Sequence, residues 1–229
     1  MPVRKKAPED LTAKKALALE VIRRLKTEYP DAGCTLDYDH AWQLLVSVRL
    51  AAQCTDARVN IVVEELFAKY PSVSALAAAE PEDIEAIVKP CGLGHSKARD
   101  ISACMRMLRD KYDCRVPDTF EALLALPGVG RKSANLIMGD VFGKSAIVTD
   151  THCIRLCNKI GLVDGIKEPQ KVEMALWKII PPEEGSDLCH RFVMHGRAVC
   201  NARKPECEKC CLKDICRTAR EAAGQQAEP

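Results

Sequence analysis

Leu126-Pro127-Gly128-Val129-Gly130-Arg131-Lys132-Ser133 is the stretch on which the reading of this chain turns. It joins two segments of helical periodicity, 119–125 and 131–142. Two glycines one residue apart let the backbone turn tightly and come close to a partner. A helix beginning at Arg131 then points its unpaired N–H groups, and the positive end of its dipole, out of the turn. That is an anion site, and a phosphate suits it. A plain helix–turn–helix connection with a glycine C-cap is the competing reading of the same residues. Two common phosphate loops are excluded. A Walker loop needs lysine directly after its last glycine, whereas Arg131 separates Gly130 from Lys132. A dinucleotide fingerprint needs a third glycine where Ser133 stands, and a strand before the turn.

Outward from this turn the helical period continues in both directions. Residues 11–28 predict a helix with Leu11, Leu17, Val21, Ile22 and Leu25 on one stripe. Residues 41–53 read as a buried helix, and 56–70 follow with Ile61, Val62, Leu66 and Phe67. Further helices fit 72–79, 82–88 behind Pro81, and 96–111 with Ile101, Cys104, Met105 and Leu108. Beyond the turn come 151–160, 168–178, 186–199 and 213–221. Connections are short and carry Pro or Gly. Ala146-Ile147-Val148 is too short for a strand. The fold class is all-α. Trp42, Trp177, Cys153 and Cys157 are expected in the core. Arg49 is an unusual charge inside an apolar stretch; pairing with a buried carboxylate and lining a cleft both suit it.

The 229 residues, 47% hydrophobic and 29% charged, have the balance of a soluble globular protein. No apolar run of eighteen exists, so a membrane-spanning helix is not expected. The basic start, Met1–Lys6, has no apolar segment behind it, so no secretory signal is expected either. The net charge of +2 hides an asymmetry. Cys189 to Arg220 holds eight basic residues against Glu206, Glu208 and Asp214, a net +5, which leaves −3 for the rest. A basic region on a near-neutral chain suits a local polyanion contact.

Thirteen cysteines are too many for an ordinary intracellular chain, and the number is odd. Four fall in the pattern Cys200-x6-Cys207-x2-Cys210-x5-Cys216. Thiolates so close in sequence repel one another unless a cation sits among them, so the pattern reads as a metal site. The spacing alone leaves zinc and iron–sulfur open. A single Cys-x2-Cys knuckle, where zinc sites usually show two, leans toward a cluster. Cys211 adjoins Cys210 and competes as a ligand.

Lys132 falls in the first turn of its helix, where a cation opposes the dipole. That position, with Arg131 beside it, favours the uncharged, nucleophilic amine. The bland alternative is a solvated lysine that binds phosphate. Asp150, in Val148-Thr149-Asp150-Thr151-His152, stands where an N-cap belongs. A capping carboxylate can still serve as a general base or electrostatic partner. His195 reads as a satisfied structural histidine.

The motifs resemble those of the endonuclease III family of helix-hairpin-helix DNA glycosylases. The residues that carry the resemblance are Leu126–Ala134, Val148–His152 and the four-cysteine pattern, with Ala52-Gln53-Cys54-Thr55-Asp56 and Gly92-Leu93-Gly94-His95-Ser96-Lys97-Ala98. It spans about residues 15–217. It implies a two-lobed architecture: a six-helix barrel over 34–144 that includes the hairpin, 119–142, and a second lobe of 1–33 with 145–229 that holds a [4Fe-4S] cluster. The damaged base would enter between the lobes. It further implies a bifunctional base-excision glycosylase and AP lyase acting on oxidised or saturated pyrimidines in double-stranded DNA. Lys132 and Asp150 would be catalytic. Gly128, Val129 and Gly130 would hold a backbone phosphate, Gln53 would fill the emptied stack, and Leu93 would wedge at the kink. His152 and Arg155 match positions near the catalytic cleft and would contact DNA, a solvent-facing helix pair being the alternative, while Arg203 and Lys204 would meet phosphates. Cys200, Cys207, Cys210 and Cys216 would hold the cluster. The resemblance also implies a monomer working in the bacterial cytoplasm, with no membrane partner.

Two other functions compete. An adenine-specific mismatch glycosylase shares this fold, but it lacks a lysine at the position of Lys132 and carries glutamate where this chain has Arg49. A thymine-mismatch relative is harder to separate. A non-catalytic iron–sulfur or zinc DNA-binding module is the second alternative.

Overall fold

The computed structural model describes residues 8–224; Met1–Lys6 and the end of the polar tail lie outside them. Among the described residues there are twelve α-helices and no strand. In order they are α1 (Pro8–Glu28), α2 (Ala41–Leu50), α3 (Asp56–Lys69), α4 (Val73–Ala78), α5 (Pro81–Val88), α6 (Gly94–Lys111), α7 (Phe120–Leu124), α8 (Arg131–Asp140), α9 (Thr151–Ile160), α10 (Pro169–Leu176), α11 (Gly185–Ala198) and α12 (Arg217–Ala222). The all-α class read from periodicity is the class observed. Ala146-Ile147-Val148 is buried but forms no strand. No described helix is long and apolar enough to cross a membrane. The chain divides into two compact units, Cys34–Lys144 and Met1–Gly33 with Ser145–Pro229.

The unit Cys34–Lys144 contains α2 to α8. Four of them, α2, α3, α4 and α7, begin where a side chain accepts from the backbone N–H groups at the helix start. Gln43 Oε1 accepts from the backbone N–H of Asp39 and of His40, both at 2.8 Å, at the start of α2. Thr55, Ser72 and Thr119 cap α3, α4 and α7 by accepting from Arg58, Ala75 and Ala122. Helix α6 is the spine. Ala98, Ile101, Met105 and Leu108 recur on one face of it, and it packs on α4 and α5. Trp42 is in this core, edge-on to Phe67 with ring centres 5.1 Å apart. Two expectations shift. Helix α2 ends at Leu50 rather than 53, and Gln53 holds φ +57°, a left-handed conformation that no α-helix contains. Helix α3 buries Val59, Val62, Val63 and Leu66, which leaves Ile61 64% exposed on its far side.

The second unit holds α1 and α9 to α12. Helix α11 packs on α1 and α9. Val21, Ile22 and Leu25 supply the buried face of α1, but Leu11 is exposed. Gly196 lets α11 meet α9 closely, since a Cβ there would run into His152 Nδ1 and Arg155 Nη2. Cys153 and Cys157 are core-facing, as read, with their sulfurs 3.9 Å apart. Trp177 is not core: it ends α10 half-buried, its Nε1 donating to Glu173 Oε1 at 3.4 Å. Helix α12 starts at Arg217 instead of 213, because the preceding residues form turns that carry Cys216. Arg24 ties α1 to this segment, donating to the Cys211 carbonyl at 2.8 Å and pairing with Asp214.

Candidate functional site

The hairpin forms between α7 and α8. Val129 N–H donates to the Leu126 carbonyl at 3.1 Å, and Ala134 N–H to the Gly130 carbonyl at 2.9 Å. The two glycines do different work. Gly128 holds φ +75°, where a side chain is strained, and a Cβ there would lie 2.9 Å from Asp100 Cβ and 3.1 Å from Arg49 Cδ. Gly130 has φ −97° and nothing within 4 Å of a Cβ position, so its bareness serves whatever approaches from outside. Gly130 offers no side-chain cap, and the first turn of α8 contains no acidic residue, so the positive helix end is uncompensated. Arg131 folds back over the Phe120 ring, 4.9 Å from its centre, while Lys132 is exposed.

Arg49 receives its explanation here. Its Nε and Nη2 both reach Asp100 Oδ2 at 2.7 Å, and Nη2 also donates to Ser96 Oγ at 3.2 Å. The ion pair forms the floor on which Gly128 rests. The partner carboxylate is half-buried, on α6.

Gln53 and Leu93 sit on two separate loops of the same unit and share an unusual backbone. Both are exposed, and both hold the left-handed region, at φ +57° and +52°. Such a conformation costs a non-glycine residue about 1–2 kcal/mol, and residues held there cluster at functional sites. Beneath them lies Lys97, which sequence reasoning quoted as a motif letter and gave no role. Its side chain is fully buried, and Nζ donates at 2.8 Å to the carbonyls of both Leu50 and Cys91. Leu50 ends the helix before the Gln53 loop, and Cys91 ends the 3-10 turn before Leu93. One ammonium thus pins both loops. Burial lowers its pKa below the usual lysine value. A lone lysine four positions before Ile101, on an otherwise apolar face, was the signal available.

In the second unit Asp150 is the N-cap of α9: Oδ1 accepts from Cys153 N–H at 2.7 Å. Its carboxylate is half-buried. His152 and Arg155, one turn on, face α11. Arg155 Nη2 donates to the carbonyls of Gly196, at 3.1 Å, and Cys200, at 2.8 Å, and lies 3.2 Å from His152 Nδ1. Holding α11 and the start of the cysteine loop is therefore the first task of Arg155.

Cys200, Cys207, Cys210 and Cys216 all line one cavity of about 40 Å³, with Lys159, Val199 and Pro205. Cys211 is not among the lining residues. Among the described residues no three His, Cys, Asp or Glu side chains converge on a single-ion position. The four thiols surround a space instead. His195, 1% exposed, is the structural histidine expected: Nδ1 meets Tyr29 Oη at 3.0 Å and Nε2 meets Cys210 Sγ at 3.3 Å. Arg203 and Lys204 are exposed on the Cys200–Cys207 loop, which a bond from Lys204 N–H to Asn201 Oδ1 at 2.7 Å shapes.

Residues 46–182 match the model of the HhH-GPD superfamily of base excision DNA repair proteins. The chain belongs to that family. The Synechocystis sp. protein named Endonuclease III is 42% identical over 210 residues, covering 91% of this chain and 95% of the relative. The Escherichia coli K12 protein of the same name is 37% identical over 202 residues, covering 88% and 95%. A trapped endonuclease III–DNA covalent intermediate superposes with a TM-score of 0.86 at 38% identity, covering 91% of this chain and 98% of that one. A non-covalent endonuclease III–DNA complex gives the same TM-score and identity, covering 92% and 98%. A thermostable thymine-DNA glycosylase, at 22% identity and a TM-score of 0.79, shares the HhH-GPD fold alone.

Proposed function

We propose that this chain is a bifunctional DNA glycosylase and AP lyase that removes oxidised or saturated pyrimidines, such as thymine glycol, from duplex DNA. The observation that carries the reading is the exposed amine of Lys132, set in the first turn of the helix that the glycine hairpin opens. The reading is supported by the 0.86 TM-score to a trapped endonuclease III–DNA covalent intermediate. The hairpin, Gly128 to Gly130, holds a backbone phosphate and fixes register without reading sequence. The target nucleotide is turned out of the stack; Gln53 takes its place and Leu93 wedges the kink. The amine attacks C1′ of the deoxyribose and the bond to the base breaks. The sugar ring then opens to a Schiff base. Loss of a proton from C2′ expels the 3′ phosphate and cuts the strand. Asp150 accepts the proton from the attacking amine and stabilises cationic character at C1′.

Four cysteines line one cavity, a donor set that suits four irons with one thiolate each, and they would hold a [4Fe-4S] cluster. Bound there, the cluster would supply a cross-link that fixes the loop carrying Arg203 and Lys204, two phosphate contacts. Iron and inorganic sulfide in equal amounts in the purified protein are the expected finding; zinc in their place removes the assignment. The reading makes the protein a monomer of the bacterial cytoplasm, held on the nucleoid through DNA.

Incubation with abasic-site duplex and borohydride tests the chemistry. The expected result is a covalent protein–DNA adduct that vanishes in Lys132→Ala. Trapping that survives the substitution refutes Lys132 as the nucleophile.

A further inference from the structure

His195 touches the cysteine loop at two points. Its carbonyl accepts from Cys200 N–H at 2.8 Å, and its Nε2 lies 3.3 Å from Cys210 Sγ. The ring is buried, so its polar contacts are with protein groups. Nδ1 lies 3.0 Å from Tyr29 Oη, and the two rings meet edge-on with centres 5.8 Å apart. Tyr29, just past the end of α1, is itself held in place. Its N–H donates to the Leu25 carbonyl at 2.8 Å, and Arg191 Nε donates to its carbonyl at 3.2 Å. Tyr29, His195 and Cys210 thus form a chain of three side chains within one compact unit.

The atoms have assigned roles in this chain. A cysteine that binds metal is a thiolate, which accepts a hydrogen bond and cannot donate one. The contact at Cys210 is then a hydrogen bond only when Nε2 carries the proton. Burial favours the neutral ring, whose Nδ1 is left as an acceptor. The Tyr29 hydroxyl donates to Nδ1, which selects that tautomer and fixes the ring. Cys210 Sγ also accepts from Leu212 N–H, at 3.4 Å. Cys216 Sγ faces an acceptor instead, the Lys159 carbonyl at 3.4 Å.

We propose that His195 donates a hydrogen bond to the Cys210 thiolate and, held by Tyr29, raises the reduction potential of the [4Fe-4S] cluster. The proposal rests on the reading that Cys200, Cys207, Cys210 and Cys216 hold such a cluster. His195 acts on the ligand itself, and Tyr29 is a positioning residue that acts through it. An added electron puts more negative charge on the cysteine sulfurs. A donor aimed at one of them therefore favours the reduced form. A hydrogen bond to an ionised acceptor is roughly twice as strong as one between neutral groups, so its loss is large enough to measure.

The test measures the one-electron potential of the full-length, iron-loaded protein by voltammetry, in the parent and in variants. His195→Leu removes the donor. At a fixed applied potential its ratio of reduced to oxidised cluster should fall about tenfold, a shift of ~59 mV. Tyr29→Phe keeps the ring and removes only the hydroxyl, and a fall of about threefold, ~28 mV, is expected. His195→Gln offers an amide N–H in place of Nε2–H and should recover most of the parent value. A purely structural role would lower melting temperature and iron content but leave the potential of the loaded protein where it was. An unchanged potential in His195→Leu overturns the proposal, as does one in Tyr29→Phe if the leucine variant does not fold. A shift in His195→Leu with none in Tyr29→Phe overturns the role given to Tyr29. A His195→Gln potential as low as that of His195→Leu overturns the hydrogen bond as the cause. Iron and sulfide analysis of the parent keeps the two readings apart. Zinc there overturns the cluster assignment and this proposal with it, whereas an iron–sulfur protein whose potential does not move overturns this proposal alone.

Discussion

Gly128 and Gly130 are two positions apart and equally bare, yet the structure makes their replacement by alanine fail in opposite ways. At Gly128 the methyl group meets Asp100 Cβ at 2.9 Å, an atom fixed to the backbone of α6, and Arg49 beside it at 3.1 Å. The backbone must also hold φ +75° with a side chain attached. The left-handed penalty of about 1–2 kcal/mol and an overpacking cost of similar size sum to about 2–4 kcal/mol. For a chain of this length that lowers Tm by roughly 5–15 °C. At Gly130 the backbone is ordinary and the methyl group touches nothing. Stability should therefore stay within about 0.5 kcal/mol of the parent. DNA affinity should not stay, because the methyl group occupies the space a phosphate would enter; a loss of about tenfold or more is expected. Thermal melts followed by circular dichroism give the first quantity, and fluorescence anisotropy on a lesion duplex gives the second. A Gly130→Ala protein that binds DNA as tightly as the parent would refute the phosphate-cradle reading. Equal melting of Gly128→Ala and the parent would refute the ion-pair floor.

Three further outcomes follow from particular residues. Replacing Arg203 and Lys204 together by alanine should reduce the slope of log affinity against log salt by about 2, one unit per phosphate contact, and an unchanged slope would remove both from the interface. Asp150→Asn keeps an oxygen for the Cys153 N–H, so the fold should hold while turnover drops about 10²-fold; full activity in the lesion-nicking assay would return Asp150 to a cap and nothing more. Cys104, 4% exposed, is pushed by burial from 9.0 up to about 12. Since the folded value is the higher one, the stabilisation is complete below the unfolded value and is lost as pH rises from there toward 12. By about pH 10 the loss reaches about 1.4 kcal/mol. Urea unfolding of Cys104→Ala is expected to start weaker near pH 8 but to lose less on going to pH 10; equal losses in both proteins would contradict this account.

How much of this was legible in the sequence depends on the scale at which each residue acts. The hairpin, the helices and the four-cysteine loop are local patterns, and a linear reading finds them because their partners lie within a few residues. Even the helix errors have local causes: α2 stops at Leu50 because the chain turns left-handed at Gln53, which no propensity of glutamine announces. What stayed hidden depends on contacts across 40 residues or more. Arg49 shows its charge in the sequence but not Asp100 beneath Gly128. Arg155 resembled a DNA contact, but the carbonyls that engage it, at Gly196 and Cys200, are supplied by tertiary packing.

Lys97 is the fullest case of that hidden kind, and it shows why the Gln53 and Leu93 loops are built as they are. Gln53 and Leu93 each hold a strained backbone, so each loop would relax if its anchor were soft. An apolar residue at position 97 would fill the space but leave the Leu50 and Cys91 carbonyls buried without donors, at about 1–3 kcal/mol each. The ammonium satisfies both with one side chain, at the desolvation cost that lowers its pKa. Strain at the two tips and a buried charge below them are therefore one arrangement. On the proposed reading, in which Gln53 and Leu93 enter the base stack, the stiffness the two loops need comes from a cation that the solvent does not reach.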